Sequence, residues 1–119
     1  MTVRQMMERF GWTAFALPDP EREVRGGYAG DLLSWVMGRA PADAAWLTIM
    51  SNRNIIAVAA LTDCAAILLC EDVVPDEGVA ELAMARGVNL LGTQESAFSQ
   101  AAGLAGLCDT AVERMGDST

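Results

Sequence analysis

The sequence predicts an α/β fold: a single three-layer domain with a mainly parallel sheet flanked by helices. Three observations carry the prediction. Strand-length apolar runs alternate with helical stretches four times over residues 23–107, the pattern of βαβ units. Two of those runs, 45–50 (AWLTIM) and 65–70 (AAILLC), are nearly continuous in apolar residues, as strands covered on both faces are. The chain has 119 residues, the size of one domain with its own core.

Taken in order, Val3, Met6, Met7 and Phe10 have helical spacing, and Gly11 is a stop signal. Residues 13–17 (TAFAL) read as a strand that Pro18 and Pro20 end. A second strand is expected over 23–28, running into Gly26, Gly27 and Gly30. Asp31 then stands as an N-cap or first-turn acid before Leu32, Leu33, Val36 and Met37, which share a helical face, and Pro41 limits that helix. After the 45–50 strand comes a polar break and the run IIAVAAL, whose period fits helix or strand. The cap-rich turn before it and the strand after it make it a helix. Following the 65–70 strand, Pro75, Asp76 and Glu77 open a helix that Gly87 closes. Residues 88–91 form a short strand, and Thr93 caps a last helix with Glu95 in its first turn. The expected organisation is a helix and strand over 1–22 that pack on or exchange with the core, an α/β domain over 23–107, and a polar tail over 108–119.

Composition excludes several functions. Eight Arg and no Lys face sixteen Asp and Glu, a net charge of −8. Nucleic acid and anionic membranes need the opposite balance. There is no His, which removes His-based triads, the common zinc sites and a His general base. The three Cys, at 64, 70 and 108, are odd in number and lack CxxC spacing, so a reducing cytoplasm is expected rather than a disulfide framework. No signal-type segment opens the chain, and the apolar runs are too short to span a bilayer.

Ligands of open α/β sheets sit beyond the carboxyl ends of the strands. That edge is expected to carry Gly26, Gly27, Gly30 and Asp31, then Ser51, Asn52, Arg53 and Asn54, then Glu71 and Asp72, then Thr93, Gln94 and Glu95. Helix N-termini there offer unpaired N–H groups to an anion, and Arg53 is the one fixed cation in these turns. Ser51, Asn52, Asn54 and Thr93, each taken alone, read first as the residue types that cap helices, and Arg53 taken alone reads first as a solvated charge. Glu71 and Asp72 are too weak a pattern for a metal site, so no metal and no cofactor is expected. GGYAG at 26–30 matches neither the dinucleotide fingerprint nor a P-loop, and its glycines suit a tight turn or a positive φ. The three Trp read as core or interface aromatics, with Trp35 off its helix's apolar stripe and facing a partner subunit.

Three segments carry a family resemblance: GGYAGDLLSWVMGRA, AWLTIMSNRNIIAVAALTDCAAILLCED and PDEGVAELAMARGVNLLGTQESAFSQAAGL. Over residues 24–107 the chain resembles the DRTGG-domain family, in particular the small stand-alone relatives of the HPr kinase/phosphorylase amino-terminal domain. The eponymous Asp-Arg-Thr-Gly-Gly motif is absent; TDCAA stands at 62–66. The resemblance implies a compact, often self-associating regulatory or sensing domain. Kinase chemistry belongs to a separate P-loop domain and is not implied. The expected function is therefore non-catalytic binding of a small anionic metabolite or nucleotide, with Gly27, Asp31, Ser51, Asn52, Arg53, Asn54, Thr93 and Gln94 as the site and a homodimer as the assembly. The alternative is a protein–protein interaction module without a small ligand, accessory to a redox or metabolic system. An enzyme using an Asp, Glu or Cys group ranks last.

Overall fold

A computed structural model describes residues 1–108. Helix α1 (Val3–Phe10) starts from a reciprocal cap: the Thr2 hydroxyl accepts from the Gln5 N–H, and the Gln5 side chain accepts from the Thr2 N–H. Gly11 ends the helix in the left-handed region, at φ 72°. Strand β1 (Thr13–Ala16) and a long loop lead to β2 (Gly26–Ala29). Then α2 (Leu33–Arg39), β3 (Ala44–Thr48), α3 (Asn54–Thr62), β4 (Ala66–Leu69), α4 (Val79–Arg86), β5 (Leu90–Gly92) and α5 (Ala97–Ala105) alternate as expected.

The sheet order is β1-β5-β4-β3-β2. Strands β2 to β5 are parallel and sequential neighbours, so the three crossovers step the same way across the sheet. Crossovers of one hand then put α2, α3 and α4 on one face. There Val36, Ile55, Ile56, Val79 and Ala83 bury Trp46, Ile67, Leu69 and Leu90. The other face carries α1 and α5, whose Val3, Met6 and Leu104 pack on Ala45, Leu47, Leu68 and Leu91. Every residue of β3, β4 and β5 is buried, as continuous apolar runs between two helical layers should be.

The amino-terminal segment packs on its own chain. Strand β1 adds antiparallel to β5 with a register shift between Ala14 and Ala16. The bulge turns Phe15 over Gly92, where an added Cβ would stand 2.5 Å from the ring. The buried Trp12 indole N–H donates to Gln100 Oε1 at 2.8 Å, pinning β1 to α5. Buried Asn89 donates to Asp19 O and Ala65 O and accepts from the Asp19 N–H, which fastens the loop before β2 to the sheet. At the amino ends of the strands, Arg22 bonds the Asp43 and Asp63 carboxylates at 2.8 and 3.0 Å. Both aspartates are left-handed, at φ 63° and 57°. Cys108, the first residue of the expected tail, is buried; the rest of that tail lies outside the described residues.

Several local expectations are corrected. Gly26 and Gly27 lie inside β2 rather than after it, and neither they nor Gly30 has positive φ. Asp31 does not cap α2; Leu32 holds the cap position and makes no side-chain bond. Of the apolar face on α2 only Val36 is buried; Leu32 and Met37 are exposed. Helix α4 begins at Val79 after Gly78, because Asp76 is tied to the β3–α3 turn, so 75–77 remain loop. Ser96, not Thr93, caps α5, and Glu95 precedes the helix.

Candidate functional site

The parallel strands bring four turns to one edge, and the antiparallel β1 adds Thr13 opposite Gly92. Two groups form there. The first lies at the ends of β2 and β3. Asp31 Oδ1 accepts from the Thr48 hydroxyl at 2.7 Å and from the Ile49 N–H at 3.0 Å, so the acid closes the turn instead of a helix. Thr48 is buried and its hydroxyl also accepts from the Met50 N–H. Asn52 Oδ1 accepts from the Asn54 N–H at 2.9 Å, an Asx turn leading into α3. The Ser51 hydroxyl donates to Asp76 Oδ1 at 2.8 Å, while the Asp76 N–H donates to Ser51 O at 3.0 Å.

Arg53 differs from these neighbours. It is exposed at the start of α3, and among the described residues its side chain makes no hydrogen bond or ion pair. The Asn54 side chain beside it is likewise exposed and unbonded. The nine-residue α3 turns the positive end of its dipole to this corner, and its first N–H groups are paired locally, Asn54 to Asn52 Oδ1, Ile55 to Asn52 O and Ile56 to Arg53 O.

The second group lies at the ends of β4, β5 and β1. Glu71 and Asp72 are consecutive left-handed residues, at φ 59° and 62°. Their N–H groups donate to Glu95 O and Thr93 O at 2.8 and 2.9 Å, which joins the two turns. The Thr93 hydroxyl accepts from the Glu95 N–H. Phe10, Gly11, Thr13, Thr93, Gln94 and Glu95 line a polar pocket of about 310 Å³. A second pocket lies between Thr93, Gln94, Asp72 and Phe15.

The predicted site residues are thus divided. Asp31 and residues 51–54 belong to the first group and Thr93 and Gln94 to the second. Strand β4 lies between them, a separation of about 10 Å at ordinary strand spacing. The Glu71 and Asp72 carboxylates stand in that interval and oppose an anion there. Just below them the buried Cys70 thiol is pushed up to about 11, by burial first and then by Glu71 and Asp31. Gly27 joins neither group. It faces α5 from the edge strand, in an apolar pocket of about 220 Å³ with Tyr28, Ala29, Leu47, Ala101, Leu104 and Ala105. The sequence reading missed this pocket and Thr48. The spacing of Ala97, Ala101 and Ala105, one helical turn apart, was its only trace in the sequence.

Among the described residues no helix is long and apolar enough to cross a membrane, and none of their His, Cys, Asp and Glu side chains form a metal-ligating cluster. No family model and no curated protein sequence matches the chain. Among solved structures, it is similar to the CBS and DRTGG domains of the regulatory region of Clostridium perfringens pyrophosphatase, a complex with the activator diadenosine tetraphosphate. The TM-score is 0.62 at 11% identity, over 87% of this chain and 45% of that one. The chain therefore spans less than half the length of that regulatory region, and the likeness is one of fold: a DRTGG-like α/β domain.

Proposed function

We propose that this chain is a non-catalytic regulatory domain of the DRTGG type that binds a small anionic metabolite or nucleotide at the carboxyl edge of its sheet. One observation carries the reading: Arg53 is exposed at the head of α3, without a side-chain partner among the described residues, while the Ser51 and Asn52 side chains before it are held in local bonds. In this reading the Arg53 guanidinium and the Asn54 side chain take the anionic group at the positive end of the α3 dipole, and Ser51 and Asn52 shape the turn that presents them. Asp31 orders the neighbouring turn. A ligand of nucleotide length then passes the Glu71–Asp72 carboxylates with an uncharged portion and reaches Thr93 and Gln94. The pyrophosphatase regulatory region, crystallised with a nucleotide activator, lends support by analogy of fold. Cytoplasmic placement and a homodimer belong to the same reading.

The test is a thermal-shift titration with AMP, ATP, a sugar phosphate and a dicarboxylate. A ligand at a hundred times its Kd adds about 2.7 kcal/mol, several degrees in a domain of this size. Arg53→Ala is expected to remove about 1.5–3 kcal/mol of binding, tenfold or more in affinity. Unchanged affinity in that variant removes Arg53 from the site.

The second reading, an interaction module, is favoured by the exposed Leu32, Trp35, Met37 and Phe98. A flat ligand screen would transfer the assignment to it.

A further inference from the structure

We infer that β2 is the self-association surface of this domain: two copies pair their β2 strands antiparallel about a two-fold axis at Tyr28, making one ten-stranded sheet. The inference deepens the self-association proposed above and does not depend on a ligand.

Strand β2 is the last in the sheet order. The backbone shows which of its groups are unpaired. Leu47 O accepts from the Gly30 N–H, whereas Thr48 O accepts from the Cys70 N–H. Leu47 therefore turns its main chain to β2 and Thr48 turns its own to β4. With Ala29 in register with Leu47, the even-numbered residues of β2 bond to β3. The N–H and C=O of Gly27 and Ala29 point to the open side. The pairing of Thr2 with Glu23 and of Met1 O with the Val24 N–H occupies the chain just ahead, so the open stretch is residues 26–30.

Open edges are ordinarily protected by charge, proline or a bulge. This one has none: GGYAG contains no charged residue and no proline, and its β2–β3 register is regular. Beside it, α5 and the residues up to 107 are also uncharged. Between the two elements lies the apolar pocket walled by Gly27, Ala29, Ala101 and Ala105. On the opposite face, Leu32, Trp35 and Met37, on and just before α2, are exposed. Two copies each carrying −8 repel over most of their surface. A bare, uncharged edge is where they can approach.

Charge then selects the direction and the register. Arg25 stands three residues before Tyr28 and Asp31 three residues after it. Antiparallel pairing centred on Tyr28 sets the Arg25 end of each strand against the Asp31 end of the other. Parallel pairing would set like against like. Arg25 is exposed and only loosely held, 3.9 Å from Asp43, and only one oxygen of Asp31 is engaged. The same register sets Gly27 of one copy opposite Ala29 of the other, where their outward N–H and C=O groups bond reciprocally. The contact is isologous and closes at two copies. Both α5 helices lie on the same side of the joined sheet, and their small Ala101 and Ala105 permit close approach.

The experiment is sizing of the full chain by light scattering, with two variants. Ala29→Pro removes one outward N–H and leaves the β3 ladder intact, a substitution edge strands tolerate. The wild-type chain is expected at twice the chain mass, and Ala29→Pro at half the wild-type value with an unchanged far-ultraviolet circular dichroism spectrum. Tyr28→Cys places two thiols across the axis with Cα atoms about 4.5 Å apart, within disulfide reach. Under diamide it should form a covalent dimer on a non-reducing gel, while wild type and Ala14→Cys on the opposite edge should not. A monomeric wild-type chain overturns both the self-association and the surface. A folded Ala29→Pro that stays dimeric overturns the surface alone. If Ala29→Pro fails to fold, the cross-link decides: its presence only at position 28 supports the pairing, and its absence overturns it.

Discussion

At the residue scale, polar side chains here are chiefly connectors between elements. Asn89 ties a loop to the sheet and Gln100 ties α5 to Trp12, and no buried side-chain polar atom among the described residues lacks a partner. Cys64 and Cys70 are free thiols, as the absence of CxxC spacing suggested. Burial holds Cys70 in its neutral form well past the ordinary thiol range, to about 11. The consequence for stability has a definite sign. Above about pH 9 the unfolded chain loses this proton while the folded chain keeps it, so the folded state binds more protons and stability falls as pH rises from about 9 to 11. Urea midpoints across that window should decline, and Cys70→Ala should flatten the decline. A decline of equal slope in the variant would assign it to other groups. The thiol should also alkylate slowly at neutral pH.

At the element scale, local sequence signals located helices and strands better than they located helix starts. Three helix starts moved, α2 by one residue and α4 and α5 by three or more, because a nearby group had a tertiary alternative. Asp31 reached Thr48 and Ile49 instead of capping α2, and Asp76 was drawn to Ser51. The chain between β5 and α5 joined the β4 turn through Glu71 and Asp72. These are long-range hydrogen bonds, invisible to a local window. The displacement leaves α2 beginning at an uncapped, exposed Leu32 with extended φ and ψ, the conformation a cap residue needs. Leu32→Ser should therefore stabilise the fold by about 0.5–1 kcal/mol in urea denaturation. A loss of stability would mean that the Leu32 side chain packs against something, such as a second copy.

At the scale of the whole molecule, the sheet should be most stable at its centre. Strands β3 and β4 are fully buried between two helical layers, whereas β1 and β2 have one open side each. Native-state amide exchange should be slowest in β3 and β4. In a dimer joined through β2, the outward amide of Gly27 should be protected at high protein concentration and exchange faster on dilution. Concentration-independent exchange at Gly27 would speak against that join. The sequence by itself determined the α/β class, the order of elements over 23–107, the burial of the 65–70 run and of the 45–50 run as far as Thr48, after which Ile49 is exposed, and the edge on which the polar turns gather. It could do so because hydrophobic period, apolar runs and glycine stops are local consequences of burial. Only the tertiary structure decided that β1 joins β5 antiparallel, that β4 separates Arg53 from Thr93 and Gln94, and that Gly27 faces an apolar pocket on an open edge. Those facts depend on which strands become neighbours, and strand adjacency is set by packing between segments far apart in the chain.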